Sequence, residues 1–111
     1  HAAAMGPLLH NLLTDLGEKH PSVGDARNIG LFGILELVKD RKTKEPLAPW
    51  NGSSPAMIAF RKYCTDHGLY LYTHWHTVLV IPPLIITEEQ LKEGFAVLDK
   101  ALEITDKEAR P

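Results

Sequence analysis

A helix-start signal near the end of the chain is the feature that most restricts its possible folds. Thr87 and Gln90 have the spacing of a capping box, in which the two side chains satisfy backbone amides of the first helical turn. After this start, apolar residues recur at helical spacing and form one stripe: Leu91, Phe95, Leu98 and Leu102. The sequence therefore predicts an amphipathic helix that packs on other elements.

Two further helices are predicted upstream. The first has an apolar stripe at helical spacing, made of Leu9, Leu12, Leu13 and Leu16. Pro21 ends this helix, because a proline biases the residue before it away from helical angles. The second helix begins at Ser54, whose side chain suits the N-cap, and ends before Gly68, a natural C-terminal stop.

Between the helices, β-branched and aliphatic residues predict a small sheet. One strand is expected from about Leu31 to Lys39. The segment after it, DRKTKEPLAPWNGSS, is polar and rich in proline and glycine, so we expect a surface loop. Two short strands follow, LYLYT and TVLVI, with the motif HWH between or within them. Segregated helices against about three to four mostly antiparallel strands predict a single α+β domain over residues 1–111.

Composition excludes some classes of function. The chain has 111 residues, enough for one domain, and its 44% hydrophobic and 23% charged residues are typical of globular proteins. Its net charge of −2 gives no general attraction to nucleic acid or to an anionic membrane. No apolar run approaches the roughly 20 residues that span a bilayer. The single cysteine, Cys64, favours a reducing compartment such as the cytoplasm.

The first residues, HAAAMG, include no initiator methionine and no signal-peptide pattern. They read as the middle of a helix. We therefore expect a domain cut from a longer protein, and a tag remnant at residues 1–4 is the alternative.

The motif YTHWH, from Tyr72 to His76, leaves three interpretations open. It could be part of a metal site, two side chains on one face of a strand, or part of a pocket that binds an anion. A metal site needs a third ligand, and neither Cys64 nor His67 gives the recurrent spacing of a structural zinc site. We therefore predict no metal ligand and interpret Cys64 as a small buried hydrophobe.

The order of longer sequence words resembles one known family. The chain contains HPSVGDARNIGLFGILELVKDRKTKEP, then a helix ending in HGLYLY, then PPLIITEEQLKEGFAVLDKAL. This succession closely resembles the C-terminal small domain of the class III, pyridoxal-phosphate-dependent aminotransferases, which include omega-amino-acid, taurine–pyruvate and acetylornithine transaminases. The pairing of V-G-D-x-R-x-x-G-L with the later G-L…P-P-L-x-I-T-E-E-Q is specific, whereas either half alone would be weak.

The resemblance implies a cytoplasmic fold-type-I homodimer whose large domain, outside this chain, binds most of the pyridoxal phosphate and carries the Schiff-base lysine. Such enzymes pass an amino group from an amine or omega-amino acid to the cofactor, and then to a keto acid such as pyruvate. The small domain closes over the site and shapes the substrate pocket. The lysines here stand in charged or polar settings, so we expect no catalytic or cofactor-binding residue in this chain and no activity from it alone.

The resemblance also indicates where substrate contacts lie. Relatives often carry an arginine at the position of Tyr72 or of His74, where it pairs with the substrate carboxylate, and neither residue is arginine here. We predict that Tyr72, His74 and His76 bind substrate, with His74 the strongest candidate. Arg27 is interpreted as ordering a turn before the strand, with Asp25 or a backbone carbonyl as its partner, rather than as a substrate contact.

Two other classes of function stay open from the residues themselves. One is a stand-alone α+β module for binding or dimerisation, since a fold alone does not fix a function. The other is a module that binds a metal ion through its histidines. Under the family interpretation, the partners are small amine and keto-acid substrates and a second copy of the parent chain, with no nucleic acid and no membrane.

Overall fold

The helices and strands form an α+β fold, as predicted. The computed structural model describes residues 2–49, 52–83 and 85–109. Its elements are α1 (Ala2–Lys19), β1 (Val23–Ile29), β2 (Phe32–Asp40), β3 (Glu45–Pro46), α2 (Pro55–Asp66), β4 (Tyr72–His74), β5 (Thr77–Val80) and α3 (Glu88–Asp106). The strands pair antiparallel in the order β1–β2–β5–β4, and the short β3 pairs with β2.

The helices begin and end close to the predicted residues. Ser54 caps α2 by accepting a hydrogen bond from the amide of Met57 at 3.3 Å, and Gly68 follows the helix with a φ of 79°. Thr87 and Gln90 form the predicted capping box at the start of α3. Within the described ranges, each helix is too short or too polar to cross a bilayer.

The first strand corrects one prediction. The sequence predicts a turn around Arg27, but this segment forms β1, which pairs with β2 so that Arg27 lies opposite Ile34. Four strands lie in the main order of the sheet, in agreement with the three to four expected, and the two-residue β3 pairs with β2 as a fifth. The outward residues Asp25 and Arg27 are charged and the neighbouring Ala26 is small, so β1 lacks the apolar density on which strand prediction depends.

The helices cover one face of the sheet and enclose the hydrophobic core with it. On this face, Leu35 of β2 and Val78 of β5 are fully buried. α1 packs on β1 and β2, and α3 packs against α1 and α2. The predicted stripe of α3 supplies buried side chains to this core, at Leu91, Phe95, Leu98 and Leu102. We call this surface of the sheet the covered face.

The loop after β2 departs from its prediction as a surface loop. Leu47 and Ala48 are buried, and Leu47 donates its amide to the carbonyl of Leu37 at 3.0 Å. Apolar burial therefore holds this part of the loop against the core, although the surrounding sequence is polar. The part at residues 50–51 lies outside the described ranges.

A polar cluster joins the C-terminal ends of α1 and α3. His20 is 2% exposed, and its ring nitrogens lie 2.7 Å from a carboxylate oxygen of Asp99 and 2.5 Å from one of Asp106. The Ser22 hydroxyl donates to Asp106 at 2.5 Å and lies 2.8 Å from that of Thr105. We call these five residues the His20 clamp.

Candidate functional site

The face of the sheet that points away from the helices is open. Strand pairing aligns a row of side chains across it, at Arg27, Ile34, Leu79 and Tyr72. Antiparallel partners point to the same side of a sheet, so this row belongs to one surface. Tyr72 is 61% exposed, and Ile34 and Leu79 are only half-buried, in contrast to their neighbours on the covered face.

A second, more polar row lies beside the first. It consists of Asp25, Glu36, Thr77 and His74. Toward the other end of the strands, three exposed apolar side chains line a shallow groove, at Ile29, Phe32 and Ile81. We call the two rows and this groove together the open face.

Arg27 is engaged by carboxylates on the open face. Its guanidinium donates to Asp25 and, at 2.6 Å, to Glu36. These bonds raise the pKa of Arg27, and the bond to Glu36 is the larger cause. Asp25 is the partner expected from the sequence, whereas Glu36 comes into reach only through the pairing of β1 with β2. Arg27 therefore has a structural role and is not available as a free guanidinium.

The hairpin of β4 and β5 brings two of the predicted substrate-binding residues together. Tyr72 and His74 are alternate residues of β4, so both point to the open face. Their ring centroids are 6.0 Å apart in an edge-to-face arrangement, and both side chains are exposed. A phenol hydroxyl and an imidazole thus stand side by side on an edge strand, where a ligand can reach both.

His76 has a different environment. Its side chain is 23% exposed, and its Nε2 lies 3.6 Å from the Glu36 Oε1, a distance too long for a hydrogen bond. Its Nδ1 is buried and has no hydrogen-bond partner among the described residues. Its carbonyl accepts the amide of Leu37 at 2.8 Å. His76 therefore interacts with β2, whereas Tyr72 and His74 contact each other.

Trp75 occupies a backbone position that rarely holds a large residue. It is the first residue of the two-residue turn between the paired residues His74 and Thr77, and its φ is 57°. Glycine is favoured where a positive φ falls at this position of a hairpin turn. The Trp75 indole stacks on the His74 imidazole, with centroids 3.9 Å apart and planes at 25°. A bulky residue in such a position is the kind of local departure that accompanies functional sites.

His74 and Trp75 line a cavity of about 300 Å³ at the end of β4. The rest of its lining comes from β4, from the segment before α2 and from α2 itself, at Thr73, Gly52, Ser53, Met57, Ile58 and Arg61. We call this space the hairpin cavity. Arg61 was not among the substrate-binding residues predicted from the sequence. Its spacing from Met57 places both residues on one side of α2, but the sequence alone does not indicate that this side meets the HWH turn.

Tyr72 also borders a second cavity, of about 340 Å³. Its walls are mainly apolar side chains from β4, β5 and α3, among them Leu79, Leu91 and Phe95. Of the described residues, no lysine or arginine lines it. The two cavities therefore differ in chemistry, because one can hold an apolar chain and the other contains a guanidinium, an imidazole and hydroxyls.

A metal site was one interpretation of the YTHWH motif, and it depends on a cluster of ligand side chains. The described part of the chain contains no group of three or more His, Cys, Asp or Glu side chains placed to hold a metal ion. Cys64 is buried in the core, and burial raises the pKa of its thiol to about 11. A thiol in this state is protonated at neutral pH and is a poor ligand and nucleophile. Cys64 is therefore a packing residue, as predicted.

The lysines of the chain all have exposed side chains, at Lys19, Lys39, Lys42, Lys44, Lys62, Lys92, Lys100 and Lys107. A reactive amine needs an enclosed setting that lowers its pKa. For Lys19 the hydrogen bond to Asp99 instead raises the pKa. The chain therefore offers chemistry for binding and orienting a ligand at the hairpin, without an activated amine among these residues.

Comparison with known proteins gives matches over nearly the whole chain. The model of the family described as Aminotransferase class-III matches residues 1–102. The chain is 38% identical over 101 residues to isoleucine 2-epimerase from Lentilactobacillus buchneri, which covers 90% of this chain and 21% of that protein. It is 38% identical over 103 residues to taurine–pyruvate aminotransferase from Bilophila wadsworthia, which covers 87% of this chain and 22% of that protein.

A solved structure gives the same result in three dimensions. It is the crystal structure of taurine:2-oxoglutarate aminotransferase from Bifidobacterium kashiwanohense, in complex with PLP and glutamate. The TM-score is 0.89 at 37% sequence identity, over 96% of this chain and 24% of that one. The chain thus spans under a quarter of the length of these relatives, at 21%, 22% and 24%.

Proposed function

Since this chain belongs to the class-III aminotransferase family, we propose that it is the C-terminal small domain of a pyridoxal-phosphate-dependent aminotransferase. The parent enzyme transfers an amino group from an amine or omega-amino acid to a keto acid such as pyruvate. The name of the taurine–pyruvate aminotransferase states such a reaction and supports this proposal. The bound PLP and glutamate of the solved relative support the cofactor and the chemistry of the substrates.

The observation that carries the proposal is the pair of exposed polar rings at the end of the open face. Tyr72 and His74 stand side by side on β4, and His74 also lines the hairpin cavity. In the proposed enzyme these two side chains contact the substrate, and the small domain forms this wall of its pocket. Neither is a guanidinium, so each offers a single hydrogen bond to an acid group where an arginine can offer two.

His76 has a weaker place in this proposal than the other two residues. The contact of its Nε2 with Glu36 and its buried Nδ1 indicate a residue that supports the turn from the side of β2. In the proposed enzyme it fixes the hairpin that presents His74, and its effect on substrate binding is indirect.

This chain does not supply the amine that would hold the cofactor. Its lysines are exposed, whereas an amine that reacts with the cofactor needs an enclosed setting. When bound, pyridoxal phosphate supplies an electron sink for bond breaking at the carbon that carries the amine. We place the anchoring lysine in the part of the parent enzyme outside this chain, so that this chain binds and orients substrate and is inactive alone.

The proposal includes three features of the parent protein. Residues 1–111 form one small domain of a longer chain, the enzyme is a homodimer, and it works in the cytoplasm. The exposed apolar groove of the open face, with Ile29 at 87% and Phe32 at 45% exposure, supports a contact with another part of the protein. The free thiol of Cys64 is in keeping with a reducing compartment.

Amino transfer by the parent enzyme is the direct test. The purified parent enzyme, loaded with pyridoxal phosphate, is incubated with pyruvate and β-alanine, taurine or putrescine, and alanine is measured. We expect alanine to form with at least one donor, and none above background from the 111-residue chain alone. Turnover by the chain alone, or a parent enzyme that uses no amine donor, would contradict the proposal.

One control separates transfer from another reaction. Because a relative is named isoleucine 2-epimerase, the parent enzyme is also incubated with L-isoleucine in the absence of a keto acid, and inversion at C2 is followed. Inversion without alanine formation would replace transfer by epimerisation. The proposed function predicts the reverse pattern.

A further inference from the structure

We propose that Arg61 of α2 binds the acid group of the substrate in the hairpin cavity, together with His74. The inference rests on the proposed function and deepens it, because it assigns the substrate a carboxylate or sulfonate at the end remote from its reacting amine. The sequence indicates no substrate-binding candidate in α2. The cavity itself places Arg61 beside the HWH turn.

The arginines of the described ranges differ in their hydrogen-bond partners. Arg27 bonds two carboxylates, and Arg41 donates to the backbone carbonyls of Gly17 and His20 at 2.7 and 2.5 Å. Arg61 is exposed and has neither a carboxylate nor a carbonyl partner among the described residues. Of the arginines in the described ranges, it is therefore the one whose planar donor fork is available to an anion.

The polar side chains that line the hairpin cavity are suited to an anion. The cavity's polar lining residues are Arg61, His74, Ser53 and Thr73, whose side chains carry a guanidinium, an imidazole and two hydroxyls. Within the described ranges, no aspartate or glutamate lines it. All four polar side chains can donate a hydrogen bond, and their cation has no carboxylate to compete with a ligand. This combination favours an anion over a cation or an apolar group.

Packing of side chains holds both walls of the hairpin cavity in place. Met57, one helical turn before Arg61, is 4% exposed and anchors that side of α2 in the core. On the opposite wall, Trp75 stacks on His74 from a backbone position with a φ of 57°. The stacked indole therefore holds the His74 ring from a backbone position where glycine is favoured. The two walls are thus fixed independently of a ligand.

The size of the cavity limits the ligand. About 300 Å³ lies at the lower end of the range for small-molecule sites. It suits the acid end of a short substrate, such as an omega-amino carboxylate or amino sulfonate, rather than a nucleotide. Carboxylate and sulfonate share the chemistry that a guanidinium recognises, and the experiment separates them.

Anion binding can be measured on the 111-residue chain without any turnover. The probes are propionate and ethanesulfonate, with propionamide as the neutral control, titrated at low salt while the Trp75 indole signal is followed by NMR. We expect saturable shifts with one or both acids and none with the amide. Arg61→Gln should weaken binding about tenfold or more, and Arg61→Lys should retain part of it.

Lys100→Gln is the matched control, since it removes one exposed cation that does not line the cavity. It should bind the acids like the wild type. Binding that persists in Arg61→Gln, or that falls equally in Lys100→Gln, would overturn the assignment, because it would reflect net charge and not the cavity. Absence of any saturable shift in the wild type would overturn it as well. Amide spectra of the unliganded variants verify that the fold is unchanged.

Kinetics of the parent enzyme separate this inference from the proposed function. Arg61→Gln should raise KM about tenfold or more for a donor that carries an acid group and leave a neutral amine such as putrescine nearly unaffected. Equal effects on both donors would remove the acid-group assignment and leave the transaminase proposal intact. A wild-type enzyme without transfer activity would remove the proposed function, while the binding titration would still decide the anion site.

Discussion

Leu35 and Ile34 are neighbours in one strand, yet they belong to two different surfaces. Leu35 is 0% exposed on the covered face, whereas Ile34 is half-buried in the row that ends at Tyr72. The covered face is apolar and enclosed by helices, and the open face mixes charges, aromatic rings and exposed aliphatic groups. Alternate residues of the same strands therefore have different roles. One set stabilises the fold, and the other presents groups for contact and binding.

The largest expected effect comes from truncating matched neighbours on the two faces. Leu35→Ala should lower the free energy of unfolding by about 3 kcal/mol, because it removes packing and leaves a cavity in the core. Ile34→Ala should cost about 1 kcal/mol, since its side chain is already partly in water. Urea unfolding measures both. Similar losses in the two variants would break the distinction between the faces.

The next largest loss of stability is expected when the His20 clamp is disrupted. His20→Ala should lower the free energy of unfolding by about 2 kcal/mol, because it removes the buried ring that both carboxylates contact. His10→Ala is the control, as its exposed ring makes a single 3.2 Å contact with Asn28 and should cost under about 0.5 kcal/mol. Calorimetry or urea unfolding compares the two. A clamp variant as stable as the control would show that the cluster is dispensable.

Most of the covered face could be predicted from the sequence. The capping box at Thr87 and the cap at Ser54 depend on residues close together in the chain, and the stripe of α3 depends on a simple period. Such local rules act before any tertiary contact forms. Burial of Leu47 was missed because it depends on how the loop returns to the core, which local composition does not determine.

The open face was harder to predict because its contacts join distant residues. Glu36 reaches Arg27 only through strand register, and Arg61 and His74 line one cavity only through the tertiary arrangement of the fold. The sequence predicts a turn in place of β1 because charged residues of this strand point to the open face. The pairing of Tyr72 with His74 was within reach of the sequence, because alternate residues of a strand share a face.

A smaller effect should appear as a pH dependence. The hydrogen bond from Lys19, and then that from His20, holds the pKa of Asp99 below its ordinary value of 3.8. A carboxyl with a lowered folded pKa stabilises the protein above the unfolded pKa and loses this contribution as the pH falls through the folded one. Its side chain is 29% exposed, so the effect should be smaller than that of His20→Ala.

The difference between wild type and Asp99→Asn isolates this contribution. Urea midpoints should differ most at neutral pH and converge as the pH falls from about 5 to about 3. A gap that stays constant over this range would mean that the charge of Asp99 does not stabilise the clamp.

The smallest effect on stability is expected in the apolar groove of the open face. Phe32→Ser should change the free energy of unfolding by under about 0.5 kcal/mol, because the ring is exposed, and should reduce hydrophobic-dye binding. Val80→Ser, on the covered face at 5% exposure, should instead destabilise the fold and increase dye binding. Opposite dye responses would reverse our assignment of the two faces.

The measurement that tests the account most directly is substrate turnover by the parent enzyme carrying His74→Ala, with His67→Ala as the control. Both histidines are exposed in the chain, but His67 stacks on Tyr63 at the end of α2, whereas His74 lines the hairpin cavity. We predict that His74→Ala lowers kcat/KM about tenfold or more and that His67→Ala leaves it unchanged, with unfolding midpoints equal to the wild type in both. Unchanged turnover in His74→Ala, or an equal loss in both variants, would contradict the placement of the substrate at this hairpin.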